Sequence, residues 1–153
     1  MELITIGEEF KGKYDFRETC FGIVRHDNKL LLVNKKNQYS LVGGGIEEKE
    51  TFEECLKREF MEESGYSITG VKELVRIDCY WLAAGKYPML SRANIFEVDV
   101  DLNNVINPTE EGCLPRWVNI DEVSELLPLP YHKRALEYYM NKRWVYEYNK
   151  WGI

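Results

Sequence analysis

Between Glu47 and Glu63 the chain places eight glutamates, at 47, 48, 50, 53, 54, 59, 62 and 63, against Lys49, Lys57 and Arg58. Nearly the whole net charge of −6 sits in this stretch. Advancing 100° per residue from Phe52 puts Phe52, Cys55, Leu56 and Phe60 at about 0°, 300°, 40° and 80° on a helix. That is an apolar stripe fit to face a sheet. Glu59 and Glu63 fall inside it at about 340° and 20°, and Glu62 borders it at about 280°. Glu53, Glu54, Lys57, Arg58 and Met61 take the opposite, exposed arc, between about 100° and 240°.

A solvated charged face accounts for Glu53 and Glu54 but not for Glu59 and Glu63. Two carboxylates about 5 Å apart repel by roughly 3 kcal/mol at an effective dielectric of ~20. Protons or a cation must offset that. Acids at i, i+3 and i+4 share one helical face and form an oxygen cage. Such a cage suits magnesium, manganese or calcium better than zinc. The spacing therefore favours a metal role for Glu59, Glu62 and Glu63 over plain surface charge.

The helix is predicted over Thr51–Ser64 and stops at Gly65. Thr51 and Glu54 fit a capping box with Thr51 as the N-cap. Lys57 and Arg58 can pair with Glu53 and Glu54 one turn back. Gly43-Gly44-Gly45 reads as a short loop from a strand into this helix. Glycine there allows backbone to approach a ligand or metal, and a flexible turn remains the alternative.

Thr19–Arg25 and Lys29–Val33 read as a hairpin, and Tyr39–Val42 as a third strand. Further strands are expected within Tyr66–Leu82, broken near Gly70, at Arg92–Val100 and at Arg116–Val118. Helices are expected from about Asp121 to Leu127 and over His132–Tyr148, with Leu136, Tyr139 and Met140 in the core. Tyr138–Trp151, rich in Tyr and Trp, could cover the sheet, form a dimer contact or reach over the site. Strands before, between and after helices predict an α/β class, a mixed sheet covered by helices. The expected organisation is a single domain, 1–153.

The acidic balance argues against a stable nucleic-acid complex held by bulk electrostatics. No stretch reaches the length of an apolar membrane span, and an acidic start does not fit an export signal. Cys20, Cys55, Cys79 and Cys113 are far apart, and neither His26 nor His132 adjoins one, so a zinc clip is not expected. Unpaired cysteines serving as small core residues suit a reducing, cytoplasmic setting. Both histidines read as structural or surface residues.

From Gly44 the sequence runs GGIEEKETFEECLKREFMEESGY. It resembles the Nudix box, G-x5-E-x7-R-E-U-x-E-E-x-G-U, at Gly44, Glu50, Arg58, Glu59, Glu62, Glu63 and Gly65. Phe60 fills the first bulky position. Tyr66 is a less typical second, and Val42 stands where many members carry proline. The resemblance implies an α/β/α sandwich with a mixed sheet. It implies magnesium- or manganese-dependent hydrolysis of a diphosphate linkage in a small nucleoside diphosphate derivative, releasing a nucleoside monophosphate. It implies that Glu59, Glu62 and Glu63 bind metal, that a carbonyl of Gly43 or Gly44 adds a ligand, that Glu50 stands in the outer shell, and that Arg58 holds Glu59. On the loop before the tryptophan strand it points to Glu111, six residues before Trp117, and next to Glu110. A solvated loop explains that pair equally well. The base that activates water would be Glu59 or Glu111. A homodimer is common in this family.

Aromatics that could stack on a base include Tyr14, Phe16, Tyr39, Tyr80, Trp81 and Tyr87. Two alternatives are a nucleotide-sensing module without turnover and a prenyl diphosphate isomerase. The intact glutamates disfavour the first. The second lacks recognisable partners for Cys55 or Cys20. A calcium-binding or scaffold role lacks the D-x-D-x-D-G loop.

Overall fold

The structure, a computed structural model, describes residues 1–150, with side chains through Lys142. The elements are β1 (Glu2–Ile6), β2 (Asp15–Ile23), β3 (Arg25–His26), β4 (Lys29–Lys35), β5 (Gln38–Gly45), α1 (Phe52–Glu63), β6 (Tyr66–Ala83), β7 (Tyr87–Val105), β8 (Cys113–Asn119), α2 (Ile120–Leu126) and α3 (Pro130–Lys150). The sheet runs β1-β6-β7-β2-β5-β4-β3, with β8 on β4. β1 lies parallel to β6 and β2 parallel to β7, while the other pairs are antiparallel. The sheet is therefore mixed, as expected.

The strands are apolar on both faces because both faces are covered. Along β4, Leu30 and Leu32 join one core cluster, and Leu31 and Val33 join the other. The first cluster is roofed by Val123 of α2 and by Tyr131, Ala135, Leu136 and Tyr139 of α3. The second is roofed by Cys55, Leu56 and Phe60 of α1. This gives the α/β/α layering. Met140, expected in the core, is exposed instead, because it falls at the edge of the buried face of α3, one turn beyond Leu136. The rest of the Tyr138–Trp151 reading lies largely outside the described side chains. No helix among the described residues is long and apolar enough to cross a membrane.

Three expectations about strands change. The hairpin of Thr19–Arg25 with Lys29–Val33 shrinks to the pairs Arg25↔Leu30 and His26↔Lys29. The preceding residues leave that ladder, so Thr19–Gly22 pair with β5 and all of β2 pairs with β7. The three glycines are not a loop. They end β5, with Gly43 against Phe21, Gly44 against Cys20 and Gly45 against Thr19. Sheet pairing supplies hydrogen bonds that glycine's own preference does not predict. β6 and β7 also exceed their predicted bounds, forming one long hairpin with register shifts near Ile68 and Gly70.

Candidate active site

α1 begins as the sequence predicts. Thr51 accepts a hydrogen bond from Glu54 N at 3.1 Å, and the Glu54 carboxylate accepts from Thr51 N. At the other end Gly65 takes φ +74°, which glycine adopts without steric cost, and its N–H donates to Phe60 O. These stops fix the rotation of the helix. Its apolar stripe meets β2 and β5, and Glu59 and Glu63 go in with it, 8 % and 1 % exposed.

The glycines of β5 make room for both acids. Gly43 N–H donates to Glu63 Oε1 at 2.9 Å. A Cβ built on Gly44 would stand 2.6 Å from Glu59 Oε1, so any larger residue would displace that carboxylate. A Cβ on Gly43, at φ +150°, would collide with the backbone of Cys20 and Phe21.

Arg58 ties the cluster together. The wheel puts it on the exposed arc, but its side chain folds back and is 23 % exposed. Its Nε and Nη2 donate to the two oxygens of Glu50 at 2.7 and 2.9 Å. Its Nη1 donates to Glu59 at 2.9 Å and Glu62 at 3.3 Å, and its Nη2 also reaches Gly45 O at 3.0 Å. It makes no pair with Glu54, whose carboxylate serves the cap, whereas Lys57 does pair with Glu53 at 3.2 Å. The guanidinium holds the Glu50 carboxyl down at about 2. Both Glu50 oxygens are thus committed to Arg58.

Lys35, at the end of β4, pairs with Glu63 and, at 3.0 Å, with Glu110. Burial pulls the lysine's pKa down, but these two carboxylates outweigh it and hold the ammonium charged. Burial pushes the Glu63 carboxyl up to about 7, against the pull of Lys35 and Gly43 N–H. Burial also raises Glu59, against Arg58. Glu110 is held below the usual range by the Cys113 thiol, which donates to it at 2.9 Å, and by Lys35.

The structure places the two loop glutamates differently. Glu110, the second choice, lines the cleft with Glu59 and Glu63, while Glu111 does not line it. The reason is a backbone hydrogen bond, Glu110 N to Glu62 O at 2.8 Å, which sets the rotation of the loop. Sequence reasoning also missed Lys35 and Cys113. Glu63, Glu110 and Cys113 can bring ligand atoms within 4.8 Å of one another. The only sequence hint was the three-residue spacing from Glu110 to Cys113. All four cysteines are buried free thiols, as read from their spacing.

The acids open into a cleft of about 280 Å³, walled also by Arg17, Phe21, Tyr131 and His132. A larger cleft of about 620 Å³ lies beside Tyr66, Val105 and Trp117, but no carboxylate lines it. Of the candidate stacking residues, Tyr14 and Tyr80 meet edge to face and Trp81 donates to Ser91, so these three are engaged with the protein itself.

This arrangement can gather cations. Glu59, Glu62 and Glu63 offer only oxygen donors, two of them buried at a real electrostatic cost, beneath a strand shaped around them. That donor chemistry fits a hard divalent ion.

A family model described as NUDIX domain matches residues 16–141. An ADP-ribose pyrophosphatase of Methanocaldococcus jannaschii is 43% identical over 61 residues, which is 37% of this chain and 36% of that protein. The match thus spans about a third of that relative's length. A prenyl-diphosphate phosphatase of Methanosarcina mazei is 25% identical over 123 residues, covering 76% of this chain and 71% of that one. The solution structure of the E. coli ORF135 protein superposes with a TM-score of 0.66 at 20% identity, covering 85% of this chain and 92% of that one. This last likeness is one of fold.

Proposed function

Because this chain belongs to the NUDIX domain family, we propose that it is a metal-dependent pyrophosphohydrolase cleaving a diphosphate linkage in a nucleoside diphosphate derivative. The observation that carries the reading is the burial of Glu59 and Glu63 in one cleft beneath Gly43 and Gly44.

Glu59, Glu62 and Glu63, with a carbonyl of Gly43 or Gly44, would hold magnesium or manganese. When bound, such an ion would offset charge developing on the phosphates and make water more acidic. Arg58 fixes the Glu59 carboxylate, and Glu50 fixes Arg58. Glu59 or Glu110 takes the proton from the attacking water. Lys35 keeps a positive charge between Glu63 and Glu110. Water adds to one phosphorus while the other phosphate leaves, giving a nucleoside monophosphate and the second phosphorylated fragment.

The Methanosarcina relative supports a second reading within the same chemistry, cleavage of a prenyl diphosphate. One panel tests both. Phosphate or phosphomonoester release is measured with magnesium or manganese on nucleoside triphosphates, oxidised guanine triphosphates, ADP-ribose, sugar nucleotides, dinucleoside polyphosphates and prenyl diphosphates. Metal-dependent turnover of a nucleotide is expected. Tight binding of one compound with turnover of none would instead establish a sensor.

A further inference from the structure

The loop before β8 is fastened to the end of α1. Ile106 N–H donates to Gly65 O at 3.0 Å, and Glu110 N–H donates to Glu62 O at 2.8 Å. The second bond serves a carbonyl that a helix leaves open in its last turn. It fixes the backbone of Glu110 but not the side chain. That carboxylate is 43 % exposed, and an untethered glutamate spreads over many rotamers. A carboxylate that acts at one point of the cleft needs donors that hold it there.

Two donors do so, and they are neighbours on one ladder, Lys35 of β4 opposite Cys113 of β8. Lys35 Nζ stands 3.0 Å from Glu110 Oε2, and the Cys113 thiol donates to the same oxygen at 2.9 Å. Both take Oε2, so they leave Oε1 available. Lys35 is shared with Glu63, whereas the thiol serves Glu110. A turn aims it. Cys113 N–H donates to Glu110 O at 3.4 Å, and Gly112 takes φ +84° between them, a value that glycine adopts without steric cost. Cys113 is 6 % exposed and packs in one core cluster with Leu56 and Phe60 of α1. The donor is thus anchored to the helix that carries the other acids. A thiol is a weak donor, but a charged acceptor strengthens the bond.

Resting on the hydrolase reading above, we propose that Cys113 is a positioning residue for the reaction. Its thiol holds Oε2 of Glu110 and so presents Oε1 at a set place to the proton of the attacking water.

A double-mutant cycle tests it, on the nucleotide turned over best in the panel. Cys113→Val fills a similar space and donates nothing, so kcat should fall about tenfold with KM unchanged. Cys113→Ser keeps a donor and should hold kcat within about twofold of wild type. In a Glu110→Gln protein the acting carboxylate is gone, so adding Cys113→Val should cost nothing further. A role in packing alone would cost the same tenfold in both backgrounds. Should Cys113→Val fail to fold, Cys113→Ala, which lacks the donor and adds no bulk, takes its place in the cycle. An undiminished kcat without the donor, equal losses with valine and serine, an unslowed Glu110→Gln, or additive losses each overturn the Cys113 assignment and leave the hydrolase reading standing. A wild-type protein that turns over no nucleotide with magnesium or manganese overturns that reading and this one with it.

Discussion

Replacing Glu63 by glutamine puts the buried charge itself on trial. Glu63 is 1 % exposed, and burial lifts its carboxyl from 4.5 to about 7. A raised acid pKa means that the charged form is disfavoured in the folded chain. The stability from this group is complete below about pH 4.5 and is lost as pH rises through 7. At 1.36 kcal/mol per unit, the loss amounts to about 3 kcal/mol near pH 8 when no cation is bound. Glutamine keeps an oxygen for Gly43 N–H and carries no charge, and Lys35 keeps Glu110. Urea unfolding in a chelator should therefore find Glu63→Gln equal to wild type near pH 4.5 and more stable at pH 8, by up to ~3 kcal/mol. Millimolar magnesium should then stabilise the wild type and leave the variant unmoved, because binding to the native state alone shifts the unfolding equilibrium. Metal-dependent hydrolysis should be lost in the same variant. A stability gap that ignores pH, or a variant weaker than wild type at pH 8 in chelator, refutes the account.

Gly44→Ala adds a methyl where 2.6 Å separates it from Glu59 Oε1. The chain should still fold, because a side-chain terminus can move, but kcat should fall by about 100-fold as Glu59 is displaced. Undiminished turnover in folded Gly44→Ala would show that the Glu59 position does not matter. Glu110→Gln should slow hydrolysis by about 100-fold or more if Glu110 handles the proton or holds Lys35. Glu111→Gln should leave it unchanged, and kinetics with equal losses in both variants would return the role to the exposed neighbour.

Much of the site was legible because a helix has a fixed period. Phe52, Cys55, Leu56 and Phe60 set the buried stripe, and the same arithmetic forces Glu59 and Glu63 inward with them. Thr51 and Glu54 mark the start by local chemistry that needs no tertiary partner. Arg58 was harder. Its angle on the helix indicates the exposed side, yet a long side chain can fold back, and Glu50 lies eight residues earlier on a segment the helix period does not describe.

The sequence by itself determined the acidic helix, its ends, and the inward aim of two of its carboxylates, because each depends on spacing within a dozen residues. Only the tertiary structure decided that Gly43, Gly44 and Gly45 would lie in a strand, since their ladder partners on β2 are more than 20 residues away. It also decided that Lys35, Glu110 and Cys113 would meet Glu63. Those encounters depend on sheet order and loop rotation, where distant segments select one another by packing and hydrogen bonding. No local pattern of residues encodes that choice.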